Sequence, residues 1–298
     1  MNKILTIIVS YNFEPWIERC LQSLRQSSTP VDVVVIDNAS HDDTVRRIRD
    51  SYSWVELIES ERNLGFGRAN NIGMEVAIRR GYEAVLLLNQ DAWVAPGTNE
   101  SLSDLSNRHP EYGILSPTHL TGKGDKPDPG FSRYIRHLSS DKNEELRDIP
   151  FVNAACWFIP RRTLQVVGGF SPLFYHYGED KDYINRLVFH RLKIGYLPHV
   201  TICHDREYRP YEYARFMRTE MVYHLSEYAN INYCVIKAFA LGPLACLKKA
   251  LIHTLRGKKK GIDYFKMTVS LIGQTCSILA VRRQTKQATH NFLKTATP

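Results

Sequence analysis

Residues 3–40, KILTIIVSYNFEPWIERCLQSLRQSSTPVDVVVIDNAS, enclose a helical pattern between two short apolar runs. The runs at 3–9 and 31–36 are continuous, brief and rich in β-branched residues, which is typical of strands buried on both faces. Between them, residues 16–26 place apolar side chains at helical spacing. Strand, helix and strand in this order predict a parallel βαβ unit and an α/β fold.

Polar residues follow both strands. Ser10, Tyr11 and Asn12 follow the first, and Asp37 ends the second. Ligands of open α/β sheets bind beyond the carboxyl ends of the strands. We therefore expect these residues to line one crevice.

The loop RNLGFGRANNIG, residues 62–73, follows a third predicted strand. Its Gly-x-Gly-x-x-Asn pattern lacks the third glycine of a dinucleotide fingerprint and does not follow the first strand. Gly65 would instead let the backbone approach a ligand, and Asn63 and Asn70 offer hydrogen-bonding groups. A plain helix-entry turn is the alternative.

The stretch EAVLLLNQDAWV, residues 83–94, begins as a buried strand and ends abruptly in Asn89, Gln90 and Asp91. Carboxylate oxygen at such a strand end suits a hard divalent cation. A turn-forming aspartate is the alternative. His204 closes a later predicted strand, and on its own it indicates only a strand-end histidine.

The stretch FYHYGEDKDYINR, residues 174–186, sets Glu179, Asp180 and Asp182 at the start of a predicted helix. Asp180 precedes Ile184 by four residues, so we expect its carboxylate to continue the buried face and the other two to point elsewhere. Asp182 is placed to pair with Arg186 one turn on, and we expect its removal to affect only local helix stability. An inward carboxylate at a helix N-terminus is a candidate general base, with ordinary acidic decoration as the alternative.

The composition bounds the class of protein. A chain of 298 residues with 43% hydrophobic and 23% charged residues is a folded protein with one large core or a core plus an appendage. Six scattered cysteines without a CxxC pair fit a reducing compartment, and the N-terminus predicts a strand rather than a signal peptide. The turn-rich residues 119–150 predict a functional loop or partial disorder.

The last quarter of the chain is basic and helical. Residues 231–298 hold 12 Lys or Arg and one acid, Asp263, which suggests a patch for an anionic membrane surface or nucleic acid. Few aromatics lie among these lysines, which disfavours nucleic acid. Two apolar helical stripes accompany the charges, and the uncharged run at residues 267–281 is short for a membrane span. Packing of the stripes on the rest of the protein or on a partner subunit is the alternative to a membrane. We predict two domains, residues 1–207 and 208–298.

Six motifs in this order resemble glycosyltransferase family 2, in particular its bacterial rhamnosyltransferase-like members. They are IIVSYN, VVVIDNASHDDT, NLGFGRANNIG, LLLNQDA, NAACWFIPRRTLQVVGGF and FYHYGEDKDYINR. The resemblance spans about the first 205 residues. It implies the GT-A nucleotide-diphospho-sugar transferase fold, a Rossmann-like, mostly parallel sheet with helices on both faces, plus a C-terminal helical extension.

The resemblance also implies residue roles. Asp180 falls on the catalytic base and Glu179 on its acceptor-binding neighbour. Asp91 and His204 fall on the ligands of Mg²⁺ or Mn²⁺, with Asn89 in place of the first aspartate of the metal-binding Asp-x-Asp motif. The predicted donor-binding residues are Ser10, Tyr11, Asn12, Asp37, Asn63, Gly65, Asn70, Asn89 and Asp91.

The implied function is that of a metal-dependent inverting glycosyltransferase. It would move a sugar, L-rhamnose from dTDP-rhamnose, to a saccharide or lipid-linked acceptor in bacterial cell-surface polysaccharide synthesis. Another donor, such as a galactofuranosyl or hexosyl nucleotide, is the alternative within enzymes, and a non-catalytic nucleotide-sugar-binding protein is the alternative outside them. The expected location is the inner face of the cell membrane, with peripheral attachment. The oligomeric state stays open.

Overall fold

A computed structural model describes residues 3–28, 31–138, 144–206 and 211–294. The strands are β1 Ile4–Ser10, β2 Asp32–Asp37, β3 Val55–Glu59, β4 Ala84–Leu88, β5 Ala92–Val94, β6 Tyr112–Thr121, β7 Arg147–Asp148, β8 Cys156–Pro160 and β9 Lys193–His204. The helices are α1 Ile17–Arg25, α2 Thr44–Ser51, α3 Phe66–Arg79, α4 Thr98–Arg108, α5 Pro129–Ile135, α6 Arg161–Val166, α7 Glu179–Phe189, α8 Tyr213–Ala229, α9 Val235–Phe239, α10 Ala245–Leu255, α11 Lys260–Gly273 and α12 Thr275–Gln284. A π-helical segment, Ala240–Leu244, joins α9 to α10.

The sheet begins as the βαβ unit that the sequence predicts. Strand β1 pairs in parallel with β2 on one side and with β4 on the other, and β2 pairs in parallel with β3. The carboxyl ends of these strands therefore meet at one edge, with Ser10 opposite Asp37. This edge is where the site is built.

The second half of the sheet adds antiparallel pairs, so the sheet is mixed. The strand order is β3-β2-β1-β4-β8-β6-β9-β5, and β7 pairs with β9. Strand β8 runs antiparallel to β4, and β5 runs antiparallel to β9. Because β5 follows β4 after three residues, this last pairing brings the chain after β4 beside the end of β9.

Helices cover both faces of the sheet. Successive strand residues face opposite sides, so each strand contributes side chains to two cores. Ile7 belongs to a core with residues of α3, α6 and α7, whereas Ile8 belongs to a core with residues of α1, α2 and α4. The apolar runs of β1, β2 and β4 are buried on both faces. The predicted α/β class is confirmed.

Within the segment at residues 119–150, the described residues 119–138 and 144–150 are more ordered than the composition indicates. Strand β6 extends to Thr121, and α5 begins at Pro129 with the Asp128 side chain accepting a hydrogen bond from the Phe131 N–H. Proline at the first helical position and aspartate at the cap both favour a helix start. The described part of this segment therefore carries a helix that reaches the site.

From Tyr213 to Gln284 the described chain is helical. The predicted domain boundary, between residues 207 and 208, lies outside the described residues and stays a prediction. Within the described residues, no single helix has both the length and the hydropathy of a membrane span, and α11 with α12 reaches them only as a pair bent by 53°.

The last described residues, which end at Lys294, return to the sheet. Leu293 is buried in the core that α3, α6 and α7 share. A Cβ added to Gly168 would lie 2.1 Å from the Asn291 carbonyl oxygen, so only glycine permits this approach. The helical extension is therefore tied at its end to the loop before α7.

Candidate active site

The carboxyl edge of the sheet opens into a cleft of about 1050 Å³. Residues after β1, β4 and β9 form its floor, and residues of α5, α7 and α8 form its walls. The lining residues are Tyr11, Asn12, Trp16, Phe66, Asn89, Gln90, Asp91, Arg133, Asn153, Ala154, Ala155, His176, Tyr177, Glu179, Asp180, His204, Arg206, Arg215 and Thr219. The structure thus brings seven of the predicted site residues together: Tyr11, Asn12, Asn89, Asp91, Glu179, Asp180 and His204.

Asp91 and His204 meet at the floor. The β5–β9 register sets Ala92 opposite His204, which places Asp91 Oδ1 at 3.3 Å from His204 Nε2. His204 is buried, and Asp91 is only partly exposed. A carboxylate oxygen and an imidazole nitrogen thus converge on the same part of the cleft.

This pair fits a divalent cation. Two ligands at about 2.1 Å from a metal and at right angles to each other lie about 3 Å apart, close to the separation seen here. In the described chain no group of three His, Cys, Asp or Glu residues is placed to hold a metal. Phosphate oxygens and water would supply the remaining positions, so a metal here would bind together with a ligand that carries phosphate.

Gln90 ties the ends of β1 and β4 together. Its Oε1 accepts a hydrogen bond from the Tyr11 N–H at 2.8 Å, and its Nε2 donates to the Tyr11 carbonyl at 3.1 Å. Asn12 follows with a positive φ of 54°, which is uncommon outside glycine. Its Oδ1 accepts from the His41 N–H at 2.9 Å. The first polar tip is therefore held in one conformation before a ligand binds.

Ser10 and Asp37 do not line the cleft. Both are buried, and Ser10 Oγ donates to Asp37 Oδ1 at 2.8 Å. Ser40 Oγ and the Ser40 N–H donate to the two carboxylate oxygens of Asp37 at 2.5 and 3.0 Å. The expectation of one shared crevice thus holds for Tyr11 and Asn12, while Ser10 and Asp37 support the loop beneath. Their donor-binding role stays a prediction.

Asn63, Gly65 and Asn70 also lie off the lining. Asn63 Oδ1 accepts from the Gly65 N–H at 2.9 Å, and the buried Asn70 donates to the Phe66 carbonyl at 3.0 Å. A Cβ on Gly65 would lie 2.1 Å from the Tyr175 carbonyl oxygen. The close approach that this glycine permits is therefore to the chain itself, and its role toward a ligand stays a prediction.

The N-terminus of α7 points two carboxylates at the cleft. Gly178, with φ of 90°, turns the chain directly before Glu179 and Asp180. Both residues line the cleft, so the expectation that Glu179 points elsewhere is wrong. The helix begins at the cleft, so its first two residues both reach the opening although they differ in angular phase.

Burial shapes the chemistry of both groups. It raises the pKa of Glu179 to about 7, and the negative charge of Asp180 adds to that rise. Glu179 Oε2 has no hydrogen-bond partner within the described part of the chain. Burial likewise raises the pKa of Asp180, and the Lys181 N–H bonded to its Oδ1 at 2.7 Å opposes the rise. A carboxylate with a raised pKa is a stronger proton acceptor.

Asp182 has a different environment. It pairs with Arg186 as predicted, at 2.8 Å, but the pair is buried, with side chains only 4% and 1% exposed. Arg186 also donates to the carbonyls of Val167 and Gly169 at 2.9 and 2.8 Å. The expectation of a merely local role for Asp182 therefore underrates it, because the pair fastens α7 to the loop before it.

Several lining residues escaped the sequence reasoning. Arg133 comes from α5, and Arg206, Arg215 and Thr219 come from the chain after β9 and from α8. Tyr177 lines the cleft with a positive φ of 70°. An arginine after the strand-end histidine was a visible signal for Arg206, whereas no local pattern marks the others.

Known glycosyltransferases resemble this chain in sequence and in fold. The model of the glycosyl transferase family 2 matches residues 6–168. The N-acetylglucosaminyl-diphospho-decaprenol L-rhamnosyltransferase of Mycobacterium tuberculosis strain H37Rv is 27% identical over 237 residues, which is 69% of this chain and 77% of that protein. A bacterial rhamnosyltransferase is thus among the relatives of this chain.

Two solved structures share the fold. Staphylococcus aureus TarS 1-349 superposes with a TM-score of 0.60 at 14% identity, over 95% of this chain and 89% of the other. The mannosyltransferase PcManGT from Pyrobaculum calidifontis, in complex with GDP-Man and Mn²⁺, gives a TM-score of 0.58 at 20% identity, over 93% and 87%. The fold is that of the GT-A glycosyltransferases.

Proposed function

Since this chain belongs to glycosyl transferase family 2, we propose that it moves one sugar from a nucleotide-sugar donor to an acceptor hydroxyl with inversion at the anomeric carbon. The observation that carries the proposal is the position of Asp180. Its carboxylate faces the same cleft as Asp91 and His204 but belongs to a wall helix, α7, whereas those two lie at the floor. A base and a leaving-group site on different elements of one cleft suit a single displacement.

In the proposed reaction, Asp180 accepts the proton of the acceptor hydroxyl as that oxygen bonds to the anomeric carbon. The bond from this carbon to the diphosphate breaks, and its electron pair leaves with the nucleoside diphosphate. Inversion in one step requires no protein nucleophile. Glu179 stands next to the base, and we assign it to hold the acceptor sugar through hydrogen bonds.

Asp91 and His204 would hold Mg²⁺ or Mn²⁺ at the diphosphate. When bound, such an ion neutralises the charge that develops on the departing diphosphate. Asn89 lines the cleft at the position of the motif's first aspartate, and we assign its amide to contact the donor. The proposed metal site thus relies on one carboxylate, one imidazole and the substrate.

The name of the mycobacterial relative supports the finer assignment. We propose L-rhamnose from dTDP-rhamnose as the transferred sugar and a saccharide or lipid-linked saccharide as the acceptor, within cell-surface polysaccharide synthesis. A lipid-linked acceptor places the enzyme at the inner face of the cell membrane. A galactofuranosyl or hexosyl donor is the second candidate.

A panel of nucleotide sugars tests this proposal. Hydrolysis of each donor is measured with Mn²⁺ present and no acceptor, and transfer is then measured with the preferred donor. We expect dTDP-rhamnose to be hydrolysed fastest, and hydrolysis to fall when Asp91 is replaced by alanine. Faster hydrolysis of a galactofuranosyl or hexosyl nucleotide would overturn the assignment of dTDP-rhamnose as the donor. If no nucleotide sugar were hydrolysed, the result would support a non-catalytic protein.

A further inference from the structure

Most large hydrophobic side chains that the described chain exposes lie after residue 210. Six of them form what we term the hairpin face: Leu251 and Leu255 of α10 with Ile262, Phe265, Val269 and Ile272 of α11. These six side chains are between 51% and 87% exposed. The sequence predicts an apolar stripe of Phe265, Val269, Ile272, Cys276 and Leu279. Its first three members are exposed.

Spacing shows that the exposed apolar residues of α11 lie on one side of that helix. Ile262, Phe265, Val269 and Ile272 follow each other by three or four residues, which sets them on one side of α11. Tyr264 and Leu271 lie on its other side and are buried in a core with residues of α8 and α10. The inner side of the hairpin is therefore filled, and the outer side has no partner in the described chain.

Exposed cations, which we term the cationic border, lie on and between the two helices of this face. Lys248, Arg256, Lys258, Lys259 and Lys266 are all exposed. Asp263, the one acid after residue 230, accepts a hydrogen bond from Tyr213 Oη at 2.5 Å. Two further lysines of this region interact with other residues of the protein. Lys249 pairs with Glu220, and Lys260 Nζ lies 4.6 Å from the centre of the Phe216 ring. The border is positively charged and unbalanced.

We propose that the hairpin face inserts into the headgroup–acyl boundary of a bilayer that contains anionic lipid. An apolar stripe flanked by Lys and Arg is the pattern of an interfacial helix. A second copy of the chain fits less well, because a symmetric contact would set the same cationic border of each copy against the other. The observed charges therefore select an anionic bilayer as the occupant.

Helix α8 connects this face to the cleft. Arg215 and Thr219 of α8 line the cleft, and Glu220 of the same helix holds both Lys249 and Tyr264. Insertion of the hairpin would therefore hold the cleft at a fixed height above the bilayer. Insertion is independent of the transfer chemistry, and a glycosyltransferase without activity would still bind.

Vesicle flotation tests the charge requirement. Phosphatidylcholine vesicles with and without phosphatidylglycerol are compared for the wild type and for the triple variant R256Q/K258Q/K259Q. Each charge near an anionic surface contributes about fivefold in binding, so the triple variant should bind about 100-fold more weakly. Equal recovery of the wild type with both vesicle types, or none with either, overturns the proposal.

A second pair of variants tests insertion. We expect L255S/F265S to lose at least about tenfold in vesicle binding, whereas V188S, at an exposed valine of α7, keeps wild-type binding. Thermal unfolding of both variants should match the wild type, because these side chains are exposed. Loss of a dimer in sedimentation without vesicles, with vesicle binding unchanged, would assign the face to a second copy.

Depth can be read directly from one added fluorophore. The four native tryptophans, Trp16, Trp54, Trp93 and Trp157, all precede residue 160. The F265W variant adds a tryptophan on the hairpin face, so lipid brominated along its acyl chains should quench the added emission. Absence of extra quenching in bound protein would show adsorption without insertion and overturn the proposal.

Discussion

The first turn of α7 holds two kinds of buried carboxylate. At the cleft end, Glu179 and Asp180 have raised pKa values, and neither forms an ion pair within the described residues. Further along the turn, burial also raises the pKa of Asp182, but Arg186 at 2.8 Å opposes that rise. Burial alone therefore does not distinguish a catalytic carboxylate from a structural one. The presence of a countercharge does, because a buried carboxylate without one costs stability and is therefore a candidate for a functional role.

Replacement of Asp91 should have the largest effect on transfer activity. Replacement of Asp91 by alanine removes the carboxylate beside His204 that we propose as a metal ligand, so we expect transfer to fall below detection, as it should in excess chelator. Mn²⁺ should raise the unfolding temperature of the wild type in the presence of nucleoside diphosphate, and not that of the variant. Full transfer in chelator would show that the cleft works without a metal.

Asp182→Asn should act on stability. The change keeps the shape but leaves the Arg186 guanidinium buried without a countercharge, which typically costs about 3–5 kcal/mol of unfolding free energy. Urea unfolding measures this loss. The matched control is Asp43→Asn, at an exposed pair with Arg46, which should leave the urea midpoint nearly unchanged. Equal midpoints for the two variants would remove the distinction between the two ends of the turn.

Glu179→Gln should show a smaller effect that depends on pH. The folded protein keeps the Glu179 proton up to about pH 7, whereas a free glutamate releases it near 4.5. Stability of the wild type therefore falls as the pH rises through this window, and glutamine removes that fall. The variant should be more stable above pH 7 by up to about 3 kcal/mol and equal to the wild type near pH 4.

Transfer by the Glu179→Gln variant separates stability from function. We expect the KM for the acceptor to rise, while donor hydrolysis changes little, because Glu179 is assigned to the acceptor. An unchanged acceptor KM would contradict the acceptor-binding role of Glu179 and leave it a structural role.

Local patterns carried much of the fold. The apolar runs of β1, β2 and β4 and the helical spacing of α1 are properties of neighbouring residues, so the sequence predicts them. The cleft-lining tips after β1 and β4 follow from the strand-end rule. What failed was burial that depends on distant residues. Asp182 and Arg186 are four residues apart, but the carbonyls of Val167 and Gly169 that complete their site come from another loop.

The same limit applies to amphipathic stripes. The sequence shows the period of the α11 stripe but not which side of the helix is covered, since an inward and an outward stripe have the same spacing. Gly168 gives no local sign of its contact with Asn291, 123 residues later. Phe265 and Leu271 differ only in the neighbours that the fold brings to them.

Asp180→Asn, compared with Asp182→Asn in the same assay, tests the central claim most directly. Single-turnover transfer is measured at a temperature where both variants are folded, together with donor binding by titration. The account predicts that Asp180→Asn binds the donor normally and transfers about 10²–10⁴-fold more slowly, while Asp182→Asn transfers at close to the wild-type rate. Transfer by Asp180→Asn within a few-fold of the wild type would contradict the account and place the base elsewhere.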